Sequence, residues 1–448
     1  MVDAQLVRHS LTYPWPRRRI LLKMKPTHYE AFNRMMTMRF LILTLGLLGG
    51  VSTSAAEWPQ FRGPTGDGVS KATNVPVEWS ATEHVAWKQP IPGVGWSSPI
   101  LAGGRLYLTT AVGEKDGPIS LRALCVDATD GHIVWDTEVF QPETTAAHEM
   151  HSKNSMASPT PVAEGERLYV HFGHLGTAAL DLDGNVLWRQ TALAYHPRHG
   201  NAGSPQLVGD LLVFSCDGME NPFVAALDRG TGDVRWRTDR KTTAIKTFSF
   251  STPTAIEVDG GQQIILPGSG FVGAYDPSDG HEIWRVRYGE GYSVVPRPVF
   301  ANGLLFVASG FDRPILYAIN PQGAHGDTTD THVVWSHEKG APLTPSVLVV
   351  GDELYFASDN GVATCVDTRT GNVHWTKRLG GDFSASPVFA DGRIYFPSEA
   401  GVTTVIQAGK SFESVATNDL GERMLASPVL TDGAIFLRTE SNLWRIQK

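Results

Sequence analysis

The chain has 448 residues, of which 46 are glycine and 28 are proline, and 42% are hydrophobic. This composition favours many turns around an ample apolar core, as in an all-β protein, over a bundle of long helices. The formal net charge of −8 argues against binding to a phosphate backbone, which needs clustered Lys and Arg. Nucleic acid is therefore excluded as an expected partner.

A leader segment is predicted near the start of the chain. Arg39 precedes a short apolar run and then a stretch of small residues that ends at Ala56. This order is typical of a signal peptide, which we place at residues 38–56 with cleavage near Ala55 or Ala56. The apolar run is too short to span a bilayer. We therefore expect no transmembrane span and a periplasmic or extracellular location.

The rest of the sequence divides into three parts. Residues 1–37 are longer than the start of a signal peptide needs, and we interpret them as a misassigned start or a disordered stretch. Residues 57–83 are predicted to be an N-terminal extension, and residues 84–448 carry internal repeats. The three cysteines are Cys125, Cys216 and Cys365. They are far apart and are expected to be buried small residues, with a disulfide between one pair after export as the alternative.

A Ser/Thr-Pro dipeptide, or a close relative of it, recurs roughly every 47 residues. The eight occurrences are Ser98-Pro99, Ser158-Pro159, Ser204-Pro205, Thr252-Pro253, Val295-Pro296, Thr344-Pro345, Ser386-Pro387 and Ser427-Pro428. Each is followed by a short apolar strand, a turn and an alternating strand, as at residues 105–108. Alternation with period two, rich in β-branched and aromatic residues, predicts strands.

Each repeat continues with a third strand, an acidic turn and a fourth strand that carries tryptophan, as from Asp127 to Trp135. Glycine in the turn supplies positive φ and the aspartate bonds nearby backbone amides, so the hairpin is encoded locally. Four strands per repeat make one blade of a β-propeller. The tryptophans expected to wedge between neighbouring blades are Trp135, Trp188, Trp236, Trp284, Trp335 and Trp375, with Val415 at the seventh position.

The last repeat, residues 427–448, lacks a fourth strand, whereas the strand near residues 84–90 has the expected pattern around Trp87. The sequence therefore predicts an eight-bladed β-propeller of four-stranded antiparallel blades, with the ring closed by the N-terminal strand. Closure of this kind removes exposed sheet edges.

The pattern Ala-x-Asp-x-x-Thr-Gly-x-x-x-Trp, as at residues 226–236, resembles the pyrroloquinoline-quinone (PQQ)-like repeat of the quinoprotein alcohol dehydrogenase-like propellers. The resemblance covers residues 84–448. Residues 58–64 also look like the opening of many secreted bacterial propellers of this kind. The superfamily includes quinone-dependent dehydrogenases and BamB-like assembly scaffolds, so the resemblance is specific for fold and leaves function open.

In such a ring, the loops that enter the first strands and the loops between second and third strands meet at one face of the central channel. Three H-x-x-H pairs fall on consecutive loops there: His148/His151, His171/His174 and His196/His199. The candidate ligand-binding residues are His148, His151, Lys153, Asn154, His171, His174, His196, Arg198, His199, Asn201, Asp217, Asp312 and Arg313. The six histidines are candidate ligands of a transition metal. Binding of an anionic or polar ligand, and ordinary hydrogen-bonded histidines, are the alternatives.

We expect an exported, non-catalytic binding or scaffold propeller that uses the channel face, and we assign no catalytic residue. The expected partner is a protein or a polar small molecule such as a saccharide, and the chain is expected to be monomeric. The alternative is a PQQ- and calcium-dependent alcohol or sugar dehydrogenase. The chain has no pair of adjacent cysteines and few tryptophans beyond those assigned to the ring, so no cofactor is predicted firmly, with PQQ and calcium as the alternative.

Overall fold

Eight antiparallel sheets follow one another along the chain, and their successive strands are hydrogen-bonded neighbours. The structure is a computed structural model that describes residues 57–113, 117–142 and 150–448, which all belong to the unit Ala55–Lys448. The sheets are the blades of a ring, a β-propeller, which confirms the predicted fold class. Residues 1–37 and the predicted signal peptide, residues 38–56, lie outside the described residues.

The described strands are β1 Val85–Pro90, β2 Ile100–Ala102, β3 Arg105–Gly113, β4 Ile119–Asp127, β5 Ile133–Phe140, β6 Val162–Glu164, β7 Arg167–His171, β8 Thr177–Asp181, β9 Val186–Gln190, β10 Gln206–Val208, β11 Leu211–Cys216, β12 Phe223–Asp228, β13 Val234–Asp239, β14 Thr254–Val258, β15 Gly261–Gly268, β16 Phe271–Tyr275, β17 Glu282–Arg287, β18 Val299–Ala301, β19 Leu304–Ala308, β20 Leu316–Ile319, β21 Gly326–Asp327, β22 Val333–His337, β23 Leu348–Val350, β24 Glu353–Ala357, β25 Val362–Asp367, β26 Val373–Arg378, β27 Val388–Ala390, β28 Arg393–Pro397, β29 Val402–Gln407, β30 Glu413–Asp419, β31 Val429–Thr431, β32 Ala434–Arg438 and β33 Asn442–Gln447. Blade 1 is β2–β5, blade 2 is β6–β9, blade 3 is β10–β13, blade 4 is β14–β17, blade 5 is β18–β20 with β22, blade 6 is β23–β26, blade 7 is β27–β30 and blade 8 is β31–β33 with β1.

Helical structure in the described part of the chain is limited to the α-helix α1, Thr329–His332, and a 3-10 turn at Gly173–Leu175. None of the helices described has the length and apolar character that a membrane crossing requires. The three cysteines are buried and free. Burial as small residues is therefore the observed state of all three.

The turn between the third and fourth strands is encoded locally. In blade 1, Asp127 Oδ1 accepts the backbone N–H of Thr129 at 2.7 Å, and Gly131 has a φ of 83°. In blade 6, Asp367 Oδ1 accepts the backbone N–H groups of Arg369 and Thr370. The aspartate holds the turn and glycine takes the left-handed position, as the sequence pattern predicts.

The tryptophan of an outer strand docks on the turn of the next blade. Trp135 Nε1 donates to the carbonyl oxygen of Leu182 at 2.9 Å, and a Cβ at Gly184 would come within 2.8 Å of the same ring. Equivalent bonds to the next turn are made by Trp87, Trp188, Trp236, Trp335 and Trp375. The predicted wedge between blades is therefore confirmed for these tryptophans, and a turn glycine is needed where the ring presses closest.

Trp284 of blade 4 is a departure from this pattern. It is fully buried, and its Nε1 donates to Gln263 Oε1 within its own blade at 2.8 Å. The short strand β21 pairs in parallel outside β17. Residues 323–331, a polar insert between the third and fourth strands of blade 5, therefore cover the outer edge of blade 4.

Blade 7 has no outer tryptophan, as predicted, but the residue in its place is not the predicted one. Ala416 stands opposite Val405, as Trp375 stands opposite Cys365 in blade 6. Val415 falls at the register shift of the outer strand. The assignment of Val415 to the seventh tryptophan position was wrong by one residue, because the hairpin before the outer strand is one residue longer: Ile406 stands opposite Ser414, whereas Val366 stands opposite Val373 in blade 6.

The N-terminal extension supplies the aromatic side chain that the outer strand of blade 7 lacks. In five blades the outer tryptophan lies 5.9–6.1 Å from an aromatic ring on the second strand. In blade 7 the ring of Tyr395 has Trp79 at 6.4 Å. The backbone N–H of Trp79 donates to Asn418 Oδ1 on the outer strand at 2.8 Å, and Trp79 is only 5% exposed. Residues 57–83 therefore complete blade 7 from outside the repeat.

Blade 8 combines strands from both ends of the repeat region. The strand β1 pairs antiparallel with β33, with Trp87 opposite Arg445. Trp87 Nε1 donates to the carbonyl oxygen of Ala128 in blade 1 at 3.2 Å. The predicted pairing of the strand around Trp87 with the C-terminal strands is present.

A belt of hydroxyl groups links the first strands around the channel. In seven of the eight blade-to-blade links, a backbone N–H donates to a Ser or Thr hydroxyl of the next blade at 2.9–3.0 Å. The belt residues are Ser98, Thr160, Ser204, Thr252, Arg297, Ser346, Ser386 and Ser427. Arg297 interrupts the series because it has no hydroxyl group to accept the bond.

Candidate functional site

Two adjoining cavities lie at the centre of the ring. Because successive strands run in opposite directions, the loops that enter each first strand and the loops between second and third strands share one face, here called the channel face. The upper cavity, of about 180 Å³, is lined by residues of these loops. The lower cavity, of about 100 Å³, is lined by the belt hydroxyls. The residues that line both cavities are Lys153, Ala202, Phe250, Val295 and Thr344.

The extension forms the floor of the lower cavity. Phe61 lines that cavity, and its carbonyl oxygen accepts a hydrogen bond from Arg297 Nη1 at 2.6 Å. Arg62 is fully buried beside it and donates to the carbonyl oxygen of Val347 at 2.7 Å. Burial lowers the pKa of Arg62 to about 10, and burial together with the charge of Arg62 lowers the pKa of Arg297 to about 9. Both guanidinium groups hold the extension in the channel through backbone carbonyl groups.

An arc of aromatic rings borders the upper cavity on the side of blades 2 to 5. The ring centroids of His151 and His199 are 5.6 Å apart, and those of His199 and Phe248 are 5.5 Å apart. Phe248 lies 5.5 Å from Tyr292, which lies 6.4 Å from Phe311. Most of these pairs meet edge to face, which is a favourable geometry for aromatic rings. We call these five residues the aromatic arc.

A cation and two carboxylates lie on the opposite side of the mouth. Lys153 Nζ is 2.8 Å from Glu399 Oε1 and 3.4 Å from Asp359 Oδ2. Burial would lower the pKa of Lys153, but the hydrogen bond to Glu399 and the charge of Asp359 hold it above its usual value. Burial would raise the pKa of Glu399, but hydrogen bonds from Lys153 and Ser384 hold it below its usual value. Lys153 and Glu399 are therefore both charged at neutral pH.

The loop that carries Lys153 crosses the mouth. Asn154 Nδ2 donates to the carbonyl oxygen of His199 at 2.8 Å on the side of the aromatic arc. On the other side, Arg423 Nη2 donates to the carbonyl oxygen of Ser152 at 2.9 Å, and its guanidinium lies 5.2 Å from the ring of Trp96. Residues 150–154, here called the bridging loop, are thus held at both ends above the cavities.

The family of the chain can be assigned from its repeats. A family model described as "Outer membrane protein assembly factor BamB" matches residues 69–239 and 324–411, more than half of the chain. The chain belongs to this family. Its structure is that of a PQQ-like propeller, as the repeat pattern predicted.

The solved structures that resemble this chain have a low sequence identity with it. BamB from Moraxella catarrhalis has a TM-score of 0.55 and 13% identity, covering 81% of this chain and 99% of that chain. A europium-containing methanol dehydrogenase has a TM-score of 0.62 and 11% identity, covering 86% and 90%. The computationally designed protein Ika8 has a TM-score of 0.54 and 10% identity, covering 80% and 100%. No curated protein sequence matches the chain. At these identities the likeness shows the fold alone.

Four of the candidate residues meet at the upper cavity of this PQQ-like propeller. They are His151, Lys153, Asn154 and His199. His199 adopts a φ of 63°, in the left-handed region, and its carbonyl oxygen accepts from Asn154. His151 and His199 belong to the aromatic arc, and Lys153 belongs to the charged cluster on the other side. His148 lies outside the described residues.

Three other candidates lie beneath the loops. His171 is only 2% exposed, its Nδ1 is 2.8 Å from Thr177 Oγ1, and burial lowers its pKa to about 3. His174 Nδ1 is 3.0 Å from Asn201 Nδ2, and Asn201 Oδ1 accepts the hydroxyl of Tyr195 at 2.8 Å. These side chains support the loops from inside, and His171 is neutral at physiological pH.

Two candidates come from the loop that precedes the first strand of blade 3. His196 is exposed, and its carbonyl oxygen accepts the backbone N–H of Met219 at 2.9 Å. Arg198 is half-buried in the same loop. This loop is therefore joined to the loop between the second and third strands of blade 3.

The acidic candidates are engaged by protein cations. Asp217 is buried in blade 3, with Oδ2 2.5 Å from Arg240 Nη1. Asp312 lies 3.7 Å from Lys246 Nζ at the rim and accepts from the hydroxyl of Tyr292 at 3.2 Å. The remaining candidate is Arg313, whose Nη2 donates to Glu338 Oε1 at 3.0 Å. Asp217 is therefore a core residue, whereas Asp312 and Arg313 belong to the rim.

The histidine metal site remains a prediction. Within residues 57–113, 117–142 and 150–448, ligand atoms of three His, Cys, Asp or Glu come within 4.8 Å of one another in the turn Asp276, Asp279 and His281. That turn joins third and fourth strands and lies opposite the channel face. Of the described candidates, His151 and His199 are neighbours at the mouth, whereas His171 is in the core.

Four residues of the mouth were not among the sequence candidates. They are Tyr292, Phe311, Asp359 and Glu399. Each lies on a loop that the repeat assigns to the channel face, so the repeat locates the loops correctly. A loop position alone does not show which side chain turns toward the channel.

Proposed function

We propose that this chain is an exported binding propeller that holds a partner at the channel mouth and carries out no redox reaction there. The observation that carries the proposal is the combination of an upper cavity of about 180 Å³, the aromatic arc on one wall and a charged cluster on the other. Concave apolar sites with a few fixed polar groups are typical of ligand binding.

We propose a protein as the main partner. The family model is described as an outer membrane protein assembly factor, and assembly requires contacts between proteins. Exposed apolar side chains occur on the channel face around the mouth, including Met150, Met219 and Ile245, which is 88% exposed. Exposed apolar residues around a pocket are typical of interaction surfaces. A polar small molecule or saccharide is the alternative occupant, and we expect the chain itself to be monomeric.

The side chains of the channel face do not fit a calcium-bound quinone. Calcium needs carboxylate oxygens that are available as ligands. Four carboxylates of this face or its loops already face a protein cation, in the pairs Asp359 and Glu399 with Lys153, Asp312 with Lys246, and Asp217 with Arg240. Two oxygens of Asp359 also accept hydrogen bonds from Leu343 and Thr344. This arrangement favours the binding role over the dehydrogenase alternative.

The enzyme alternative is tested by adding PQQ and Ca²⁺ to the purified full chain and measuring dye reduction with a panel of alcohols and sugars. We expect neither stoichiometric quinone binding nor turnover. Turnover that depends on both additions would refute the non-catalytic proposal.

The binding role is tested by photo-crosslinking in the producing cells. A photoreactive phenylalanine analogue replaces Tyr292 at the mouth or, as a matched control, Val334, which is 50% exposed on an outer strand. We expect a discrete adduct from position 292 only. The partner in the adduct is then identified and purified. Its Kd is measured for the unchanged chain, for Tyr292→Ala and for Val334→Ala. A Kd that changes equally in both variants, or in neither, would contradict binding at the mouth. Export is checked separately by the N-terminal sequence of the mature protein, expected near Glu57.

A further inference from the structure

Two carboxylates at the mouth are fixed by the scaffold without help from Lys153. Asp359 Oδ1 accepts the backbone N–H groups of Leu343 and Thr344 at 3.0 and 2.9 Å, and Oδ2 accepts the Thr344 hydroxyl at 2.6 Å. Glu399 Oε1 accepts the Ser384 hydroxyl at 2.6 Å. Both residues lie on short loops between neighbouring strands of blades 6 and 7. The position that holds an ammonium group is therefore preorganised.

The ammonium group now held there comes from across the ring. Lys153 is carried by the bridging loop, 206 residues before Asp359 in sequence. Its side chain is 29% exposed, whereas those of Asp359 and Glu399 are 15% and 16% exposed. The lysine is thus the most accessible member of the cluster. An incoming ammonium group would therefore compete with Lys153 for the two carboxylates.

The cavities beside the cluster have room for an apolar stem. Lys153 lines both the upper and the lower cavity, and Tyr292, Phe311 and Phe250 line the upper one. The upper cavity of about 180 Å³ exceeds the roughly 150 Å³ that accommodates a benzene ring in an engineered protein cavity. A ligand whose ammonium group replaces that of Lys153 would place its stem against these rings. The rings also favour a cation at their faces, as Lys246 Nζ shows by lying 3.8 Å from the centroid of Tyr292.

We propose that the channel mouth recognises a primary ammonium group on an apolar stem, and that Lys153 is an internal competitor which occupies this position until such a ligand displaces it. The inference rests on the proposed use of the mouth as a binding site and names the chemistry of its ligand. The ammonium group can belong to a free arylalkylamine or to a lysine side chain of a partner protein. Displacement moves Lys153 away from Asp359 and Glu399 without any covalent step.

The test is calorimetric titration of the full chain with benzylamine and with Nα-acetyl-lysine methylamide, at pH 7 and low salt. Lys153→Met keeps the apolar stem and removes the competing charge, so we expect it to bind one of the amines at least ten-fold more tightly than the unchanged protein. The preferred probe identifies a free amine or a protein side chain as the source. Benzyl alcohol, which has the same ring without the charge, is expected to bind at least ten-fold more weakly than benzylamine. Lys339→Met is the matched control, because it removes an exposed lysine from another loop of the same face, and it should leave the affinity within two-fold.

A second substitution tests the carboxylate. Glu399→Gln in the Lys153→Met background is expected to reverse the gain at least ten-fold. Equal affinities of the unchanged protein and Lys153→Met for both amines would overturn the proposal. Where benzylamine is the preferred probe, equal affinities for benzylamine and benzyl alcohol would overturn it as well. If Lys153→Met does not fold by circular dichroism, Lys153→Gln replaces it under the same criteria. The crosslinking experiment at position 292 does not depend on these amines. If crosslinking succeeds and the amine titration fails, the proposed ligand chemistry is refuted and the binding role stands.

Discussion

Trp79 offers the sharpest test of how this propeller is built, because it lies outside the repeat. If Trp79 stands in for the missing outer tryptophan of blade 7, its removal should cost as much as the loss of an intrinsic one. Trp79 is 5% exposed and stacks on Tyr395 at 6.4 Å. A buried tryptophan removes 150–250 Å² from water, which is worth about 4–6 kcal/mol at about 25 cal/mol per Å². We therefore expect Trp79→Ala to lower the free energy of unfolding by about 3–5 kcal/mol.

A second variant separates packing from hydrogen bonding. Trp79 Nε1 is buried and finds no partner among the residues that the structure describes, whereas Trp236 Nε1 donates to the carbonyl oxygen of Pro277 at 2.9 Å. Trp236 is similarly buried, at 8% exposure. Both Trp→Phe variants lose the same volume, and the variant at position 236 also leaves a carbonyl group without its donor. We expect Trp236→Phe to cost about 1 kcal/mol more than Trp79→Phe.

The assay is urea unfolding of the full chain, followed by circular dichroism, with the midpoint and slope measured for each variant. Val415→Ala is the control on blade 7, because Val415 is 38% exposed and should change stability by less than about 0.5 kcal/mol. A Trp79→Ala protein as stable as Val415→Ala would show that the extension lies on the ring without completing it.

Three further outcomes follow from buried polar groups. Asp217→Asn leaves the buried charge of Arg240 unpaired and should cost about 3–5 kcal/mol, whereas Asp217→Leu combined with Arg240→Met should restore most of the loss, as urea unfolding would reveal. His171 has a pKa lowered to about 3 by burial, so the unfolded chain binds a proton below pH 6.5 that the folded chain does not. Stability should fall by about 1.4 kcal/mol per pH unit from pH 6.5 toward pH 3, and His171→Gln should lose this part of the slope in thermal scans; an unchanged slope would contradict it. Ser427→Ala removes the acceptor of the Ser386 backbone N–H at 2.9 Å in the belt and should cost about 1–3 kcal/mol by the same unfolding assay, whereas a neutral effect would mean that the belt adds nothing to stability.

Seven of the eight blades were predictable because each is encoded within a short stretch of chain, and blade 8 was predictable because its two separate parts carry the same pattern. The turn aspartate, the turn glycine and the outer tryptophan lie within ten residues or so, and each reports on local geometry. The contacts between blades use the same residues, as Trp135 does with the turn at Leu182. A sequence with such a repeat therefore specifies both the blade and the docking of the next one.

The mouth was only partly predictable, because its side chains come from distant parts of the chain. Lys153 meets Asp359 across 206 residues, and no local pattern encodes that pair. His171 looked equivalent to His151 in spacing, yet it belongs to the end of strand β7 and turns into the core. A loop position indicates the face of the ring, whereas the direction of a side chain depends on packing that spacing does not contain.

The two irregular positions of the repeat are linked by the extension. Blade 7 lacks its outer tryptophan and receives Trp79, while the hydroxyl belt is interrupted at Arg297, which binds the carbonyl oxygen of Phe61. Both departures would be defects in an isolated ring, since one leaves Tyr395 without its partner and the other buries a guanidinium group. The same segment of residues 57–83 compensates both, and in doing so it forms the floor beneath the cavities. The binding site and the integrity of the ring therefore depend on one element, and any perturbation that releases the extension should weaken both together.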